Sequence, residues 1–303
     1  MATPARLFLV DGSSNLYRAF HALPRLSNSR GQPTHAVLGF TTMLLKLLRE
    51  EEPEALAVAL DGPGPTVRHQ LFAEYKANRP PMPDDLAQQI PYVHRVLQAM
   101  RVPLLMIAGE EADDILASAA VRGAAEGYRV VLVSGDKDLL QLVGDAIVVR
   151  DTMKGKTWGP AAVAERYGVS PGQFPDLLAL MGDSIDNIPG IPGVGDKTAR
   201  DLLQRFGSVE ALLERGAEIA SPKLRETVRA HAERVQLSKR LATIRTDLPL
   251  PWGAGEFRRT APDVPALLAL FRELEFTRLA EQFSQPVFFA EEPAKNTGMS
   301  KPQ

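Results

Sequence analysis

The 303-residue chain contains no cysteine, which excludes disulfides and thiolate metal sites. Lack of cysteine is the usage expected of a cytoplasmic protein. No apolar run approaches the ~18 residues of a membrane span, so no membrane association is expected. The N-terminus MATPARLFLVDG is too short and too quickly polar for a signal peptide. There is no internal repeat and no low-complexity tract. The five histidines, His21, His35, His69, His94 and His231, are scattered without ligand spacing. They read as structural or surface residues. Excess charge of one sign is also missing, since the net charge is only −2.

That total conceals a pattern. Nine carboxylates fall in four short clusters, each after an apolar run or at a helix start. They are Asp11 in LFLVDGSSNLYR and Asp61 in LAVALDG; Glu111, Asp113 and Asp114 in GEEADDILA; Asp136 and Asp138 in VVLVSGDKDLLQL; and Asp183 and Asp186 in ALMGDSIDNIPG. With the nine set aside the remaining chain carries +7. An acidic centre on a mildly basic body is compatible with a polyanionic substrate.

Apolar runs at 6–10, 55–60, 103–107, 129–134 and 146–150 predict strands. Between them, 35–50, 84–100 and 112–126 predict helices. This alternation predicts an α/β domain with a mostly parallel sheet. Asp11, Asp61 and Asp136 fall at strand ends, where such sheets collect ligands. After about residue 160 only helical patterns follow, at 160–167, 174–181, 196–206, 208–214, 222–237 and 263–283. The expected organisation is an α/β core over 1–160, a helical lobe over 161–283 and a frayed tail over 284–303.

Like charges so clustered repel unless a cation lies between them. Oxygen-only donors without histidine partners favour Mg²⁺ or Mn²⁺ over zinc. Two such ions ~3.5–4 Å apart can activate water and stabilise the leaving oxygen of a phosphodiester. Taken singly, each acid is equally a helix cap or a solvated charge. Asp145 and Asp151 read as turn residues, and Glu110 as a first-turn helix charge.

Two further segments bear on function. In IPGIPGVGDKTARDLLQR, residues 188–205 read as a helix-hairpin-helix. Gly190, Gly193 and Gly195 let backbone approach a phosphate, and Lys197 opens the following helix. Such an element grips DNA backbone without reading bases. The ordinary alternative is a helical corner. Segment 62–83, bounded by GPGPT and NRPPMP, holds Arg68, Tyr75, Lys76 and Arg79 on a short basic helix. The choice there is between a solvated surface helix and a mobile cover over the acidic site. As a cover, Lys76 and Arg79 would hold the scissile phosphate, and Tyr75 would stack a base.

The segments FLVDGSSNLYRAFHAL, FAEYKANRPPMPDDL, EEADDILA, SGDKDLLQLV and ALMGDSIDNIPGIPGVGDKTA closely resemble the 5′-nuclease domain of bacterial DNA polymerase I. That domain belongs to the flap endonuclease superfamily. The resemblance runs from Leu7 to Phe283 in the same motif order. It implies a PIN-like sheet, a helical arch over about 62–100, and a structure-specific 5′–3′ exonuclease and flap endonuclease. The implied substrates are DNA with 5′ flaps, nicks or 5′ ends, and RNA–DNA primer hybrids, in primer removal and repair. By carry-over, Asp11, Asp61, Glu111, Asp113 and Asp114 surround one Mg²⁺, and Asp136, Asp138, Asp183 and Asp186 the second. Arg18, Arg68, Tyr75, Lys76 and Arg79 match positions that handle the 5′ strand. A K⁺ ion is implied at the hairpin. Lys76, Arg79, Asp114 and Asp136 are the catalytic candidates. The chain is expected to act as a monomer. It ends at Gln303 without polymerase domains, so the choice is between a stand-alone nuclease, the favoured reading, and a domain excised from a polymerase; functional coupling to a polymerase is the expected partnership. Two rival readings are a PIN-type ribonuclease, which the helical lobe argues against, and a non-catalytic junction binder.

Overall fold

A computed structural model describes residues 4–284. Its centre is a six-stranded sheet of β1 (Arg6–Asp11), β2 (Ala55–Ala59), β3 (Leu104–Leu105), β4 (Arg129–Val133), β5 (Ile147–Asp151) and β6 (Lys156–Trp158), in the order β3-β2-β1-β4-β5-β6. β1 to β5 are parallel and β6 is antiparallel to β5. This is the mostly parallel α/β core expected, except that β6 has no apolar run and was not legible.

Around the sheet run α1 (Gly12–Ala22), α2 (His35–Glu51), α3 (Val67–Leu71), α4 (Asp84–Ala87), α5 (Ile90–Ala99) and α6 (Ala112–Ala125). There follow α7 (Pro160–Tyr167), α8 (Phe174–Met181), α9 (Asp196–Phe206), α10 (Val209–Glu214), α11 (Pro222–Ala230), α12 (Ala232–Ala242), α13 (Val264–Glu273) and α14 (Thr277–Phe283).

Alternation along the strands divides the core. Leu7 and Leu9 of β1, with Ala55, Ala57 and Ala59 of β2, face one cluster that continues through α6 into α8–α12. Phe8, Val10, Leu56 and Val58 face the other, shared with α1, α2 and α5. α13 and α14 belong to this second cluster through Leu267, Phe271 and Phe283. The expected helical lobe over 161–283 therefore loses its last two helices, which return to the sheet.

Three expected helices are broken. Over 84–100 the break falls at Gln88 and Gln89. Pro91 supplies no N–H, and the buried Gln89 Oε1 accepts from the N–H groups of Ala36 and Val37 at 2.8 and 3.2 Å, capping α2. The 222–237 pattern breaks at His231, and 263–283 at Glu275, whose φ is 62°.

Strand order reverses direction around β1, with β2 on one side and β4 on the other. A crevice forms there beyond the carboxyl ends of the strands. Gly12 makes the first turn of α1 possible: a Cβ there would lie 2.7 Å from the carbonyl oxygen of Ala59.

Candidate active site

The crevice collects the acidic residues. Asp11 closes β1, and its carboxylate accepts from Ser14 N–H at 2.8 Å and Ser134 Oγ at 2.6 Å. Asp61 follows β2 and caps α6 by accepting from Ala112 N–H at 2.9 Å. Asp136 follows β4, held through Ser134, and accepts from Asp138 N–H at 2.9 Å. Asp113 lies in the first turn of α6. None of Asp11, Asp61, Asp113, Asp136 and Asp138 has an ion-pair partner among the described residues. Burial pushes Asp11 up to about 6, helped by Asp136 and Asp61. Burial also raises Asp113 well above the carboxylate range, with Asp11 and Asp136 adding to it. Asp138 rises for the same reasons, burial first and then Asp136 and Asp186, and its buried Oδ1 has no hydrogen-bond partner.

The other four acids are already neutralised. Glu111 accepts from Lys76 Nζ at 2.7 Å, Thr66 Oγ1 at 3.1 Å and Tyr75 OH at 3.2 Å. Burial raises its pKa, but Lys76 and Arg68 outweigh that and leave it lowered. Asp186 pairs with Arg79 and accepts from Tyr75 OH at 3.2 Å. Asp183 accepts from Lys137 Nζ at 2.7 Å and from Ile185 N–H at 2.8 Å. Asp114 is the most enclosed: the Arg68 guanidinium grips both its oxygens at 2.6 and 2.8 Å. Arg245 N–H adds a bond at 2.8 Å.

Lys76 takes a left-handed backbone conformation with φ 56°, pinned by its N–H on the carbonyl of Asp186 at 3.0 Å. Burial works against its charge, yet Glu111 and Asp186 hold its pKa above the usual value. A cavity of about 690 Å³ opens between Lys76, Arg79, Arg18, Asp11, Asp61 and Asp113.

A family model, the 5'-3' exonuclease N-terminal resolvase-like domain, matches residues 6–168. A second, the 5'-3' exonuclease C-terminal SAM fold, matches residues 169–265. The chain belongs to the 5'-3' exonuclease family. It is 41% identical to a 5'-3' exonuclease of Aquifex aeolicus, over 91% of this chain and 94% of that protein. It is 45% identical to DNA polymerase I of Bacillus caldotenax, over 95% of this chain but 33% of the polymerase. The chain thus spans about a third of the polymerases it matches. In fold it is similar to the bacteriophage T5 D15 protein co-crystallised with metal ions, with TM-score 0.69, 22% identity and coverage of 92% and 100% of the two chains. It is also similar to the catalytic core of Rad2 in complex with DNA substrate, with TM-score 0.64, 16% identity and coverage of 94% and 93%.

Several site expectations are altered by geometry. Asp114 does not face the cavity; it locks α6 to α3 and to residue 245. Arg68 is buried at 6% exposure and also donates to the carbonyls of Leu241 and Thr243 at 2.9 Å. It is not open to a strand. Tyr75 is 3% exposed, its ring edge-on to His69 at 5.5 Å, and offers no face to a base. Gly190 is buried against the chain itself: a Cβ there would lie 2.3 Å from Gly182 N. Gly193, Gly195 and Lys197 are exposed at the hairpin and the start of α9. Segment 67–79 lies over the acidic centre but is anchored to it by Arg68, Tyr75 and Lys76.

Three other residues have roles beyond what the sequence suggests. Asp151 does cap a turn, accepting from Met153 N–H at 3.1 Å, but it also pairs with Arg18 at 3.4 Å beside the cavity. Glu110 lies outside α6 and pairs with Arg245 at 2.9 Å. Lys137, between two acids of the motif, carried a signal: a cation inside an acidic cluster.

The acidic residues fit a divalent cation on two observations. Five carboxylates without cationic partners crowd one crevice, and Asp138 presents an orphan oxygen. Among the described residues no three or more His, Cys, Asp or Glu side chains stand close enough together to hold a metal ion as they are placed, so these acids would have to draw together around one.

Proposed function

We propose that the chain is a divalent-metal-dependent 5′–3′ exonuclease and flap endonuclease acting on DNA, and on RNA primers paired to DNA. The observation that carries this is the split among the nine acids: five lack compensation, while cations already hold four. Asp11, Asp61, Asp113, Asp136 and Asp138 would hold the metal, with Mg²⁺ the expected ion and Mn²⁺ a substitute. Such an ion supplies charge neutralisation and lowers the pKa of bound water. Glu111 and Asp186 position the Lys76 amine and the Arg79 guanidinium at the rim. Both cations are then set to meet a phosphodiester oxygen as its charge grows. Arg18 lines the same cavity and supports strand binding. Gly193, Gly195 and Lys197 form the exposed backbone-binding element on the helical side, with a K⁺ ion at the hairpin. We place the enzyme in the cytoplasm as a monomer, coupled functionally to a polymerase. No helix among the described residues is long and apolar enough to cross a membrane.

The test is a 5′-flap DNA and a matched RNA hairpin, each with Mg²⁺ and with EDTA. Flap cleavage that needs Mg²⁺, with the hairpin intact, is the expected result. Asp136→Ala should abolish cleavage while leaving flap binding intact. Undiminished turnover in that variant would reject the mechanism, and preferred cutting of the hairpin would favour a PIN-type ribonuclease.

A further inference from the structure

Two chambers meet at the acidic crevice. The larger, under segment 67–79, is the cavity described above. The smaller, of about 370 Å³, extends away from Lys76 toward the junction with the helical lobe. They share Ser14, Arg18, Asp136, Asp151 and Lys154. Its size lies within the ~300–1,000 Å³ of small-ligand sites.

The smaller chamber carries five carboxylates, Asp136, Asp138, Asp151, Asp183 and Asp186, but it also has a sizeable apolar lining. Its apolar lining comes from Trp158, Tyr167, Ile185, Leu140 and Val149. Ile185 is 63% exposed, yet its backbone is fixed by the bond to Asp183 and by the Asp183–Ile188 bridge. Tyr167 is held edge-on to Phe174 at 5.0 Å and lies 5.8 Å from Trp158. Arg18 and Lys154 stand at the shared boundary, both within 3.6 Å of Asp151. The apolar surface, with Arg18 and Lys154 at the boundary, matches the two halves of a nucleotide, a planar base and its phosphate, and a metal held by Asp136 and Asp138 would offset the acids that share the chamber.

We propose that the smaller chamber is a nucleotide subsite. It takes the base of the nucleotide on the duplex side of the scissile bond against Trp158, Tyr167 and Ile185, with Arg18 and Lys154 toward its phosphate. The side follows from placement, because the larger chamber lies under the segment expected to pass the flap and the smaller faces the hairpin lobe. This rests on the nuclease reading above.

The chain has two tryptophans, Trp158 and Trp252, and Trp252 lines neither chamber. A Trp252→Phe protein therefore reports from Trp158 alone. It is titrated with 5′-flap DNA, with Ca²⁺ replacing Mg²⁺, and fluorescence anisotropy of labelled DNA measures binding independently. Emission should change on binding. The change should vanish, and Kd rise about tenfold, when an abasic residue replaces the nucleotide on the duplex side of the cut. The same replacement on the flap side should leave it intact. Ile185→Ser, at an exposed site, should weaken binding of normal DNA by about threefold or more but leave binding of the duplex-side abasic DNA unchanged. A Trp158 response insensitive to either abasic residue, or lost only with the flap-side one, overturns the proposal. Absence of anisotropy change, or of Mg²⁺-dependent cleavage, would instead mark failure of the nuclease reading.

Discussion

Replacing Arg68 with alanine leaves Asp114 charged at 1% exposure, with Arg245 N–H as its remaining bond. It also strips the carbonyls of Leu241 and Thr243 of their donor. Breaking a buried pair by removing one partner costs roughly 3–5 kcal/mol. For a chain of this size, that lowers Tm by roughly 5–8 °C. Arg68→Met with Asp114→Leu removes both charges and restores packing, so the double variant should recover most of the loss. Thermal unfolding followed by near-UV circular dichroism measures this. Flap cleavage at low temperature, where every variant is folded, should stay within about threefold of the parent. A Tm unchanged in Arg68→Ala, together with a large loss of DNA affinity, would refute the clamp and return Arg68 to the strand-binding set.

Four other outcomes follow from the same geometry. Asp11 carries a carboxyl raised from 3.8 to about 6, so the folded metal-free protein binds more protons than the unfolded chain. Its stabilising contribution is full below the ordinary pKa and is lost as pH rises through 6, on the order of 3 kcal/mol. Urea unfolding in EDTA should show greater stability at pH 5 than at pH 8, and a higher stability at pH 8 would contradict the burial argument. Lys76→Ala should lower kcat more than it raises Kd, tested by single-turnover cleavage beside direct binding; a pure affinity loss would demote Lys76 to a tether. Gly190→Ala, with φ 58° and no room for a Cβ, should destabilise by about 1–3 kcal/mol. Gly195→Ala, in open space, should leave Tm unchanged and weaken duplex binding in an anisotropy titration.

The sheet was legible because its strands are short apolar runs ending in acids. The strand-end positions of Asp11, Asp61 and Asp136 followed from that alone. What spacing could not reveal is how each acid is neutralised. Arg68 and Asp114 are 46 residues apart, and Lys76 and Glu111 are 35 apart. Nothing local distinguishes a carboxylate facing a guanidinium from one facing a cavity. Tyr75 was misread for a similar reason: an aromatic among cations suggests stacking until its burial is known. The helix breaks at Gln89 and Glu275 were hidden because tertiary bonds override a continuous apolar stripe. The smaller chamber draws Trp158 and Ile185 from distant segments.

The segment Glu111-Ala112-Asp113-Asp114 points its three acids in three directions. Glu111 meets Lys76, Asp113 meets the cavity, and Asp114 meets Arg68. Successive residues on a helix are turned by about 100°. Inserting or deleting a single residue at the start of α6 would turn Asp113 and Asp114 by about 100° relative to Glu111 and take both from their places at once. The first turn of α6 is therefore an indexing element, tolerant of conservative exchange and intolerant of any change in length.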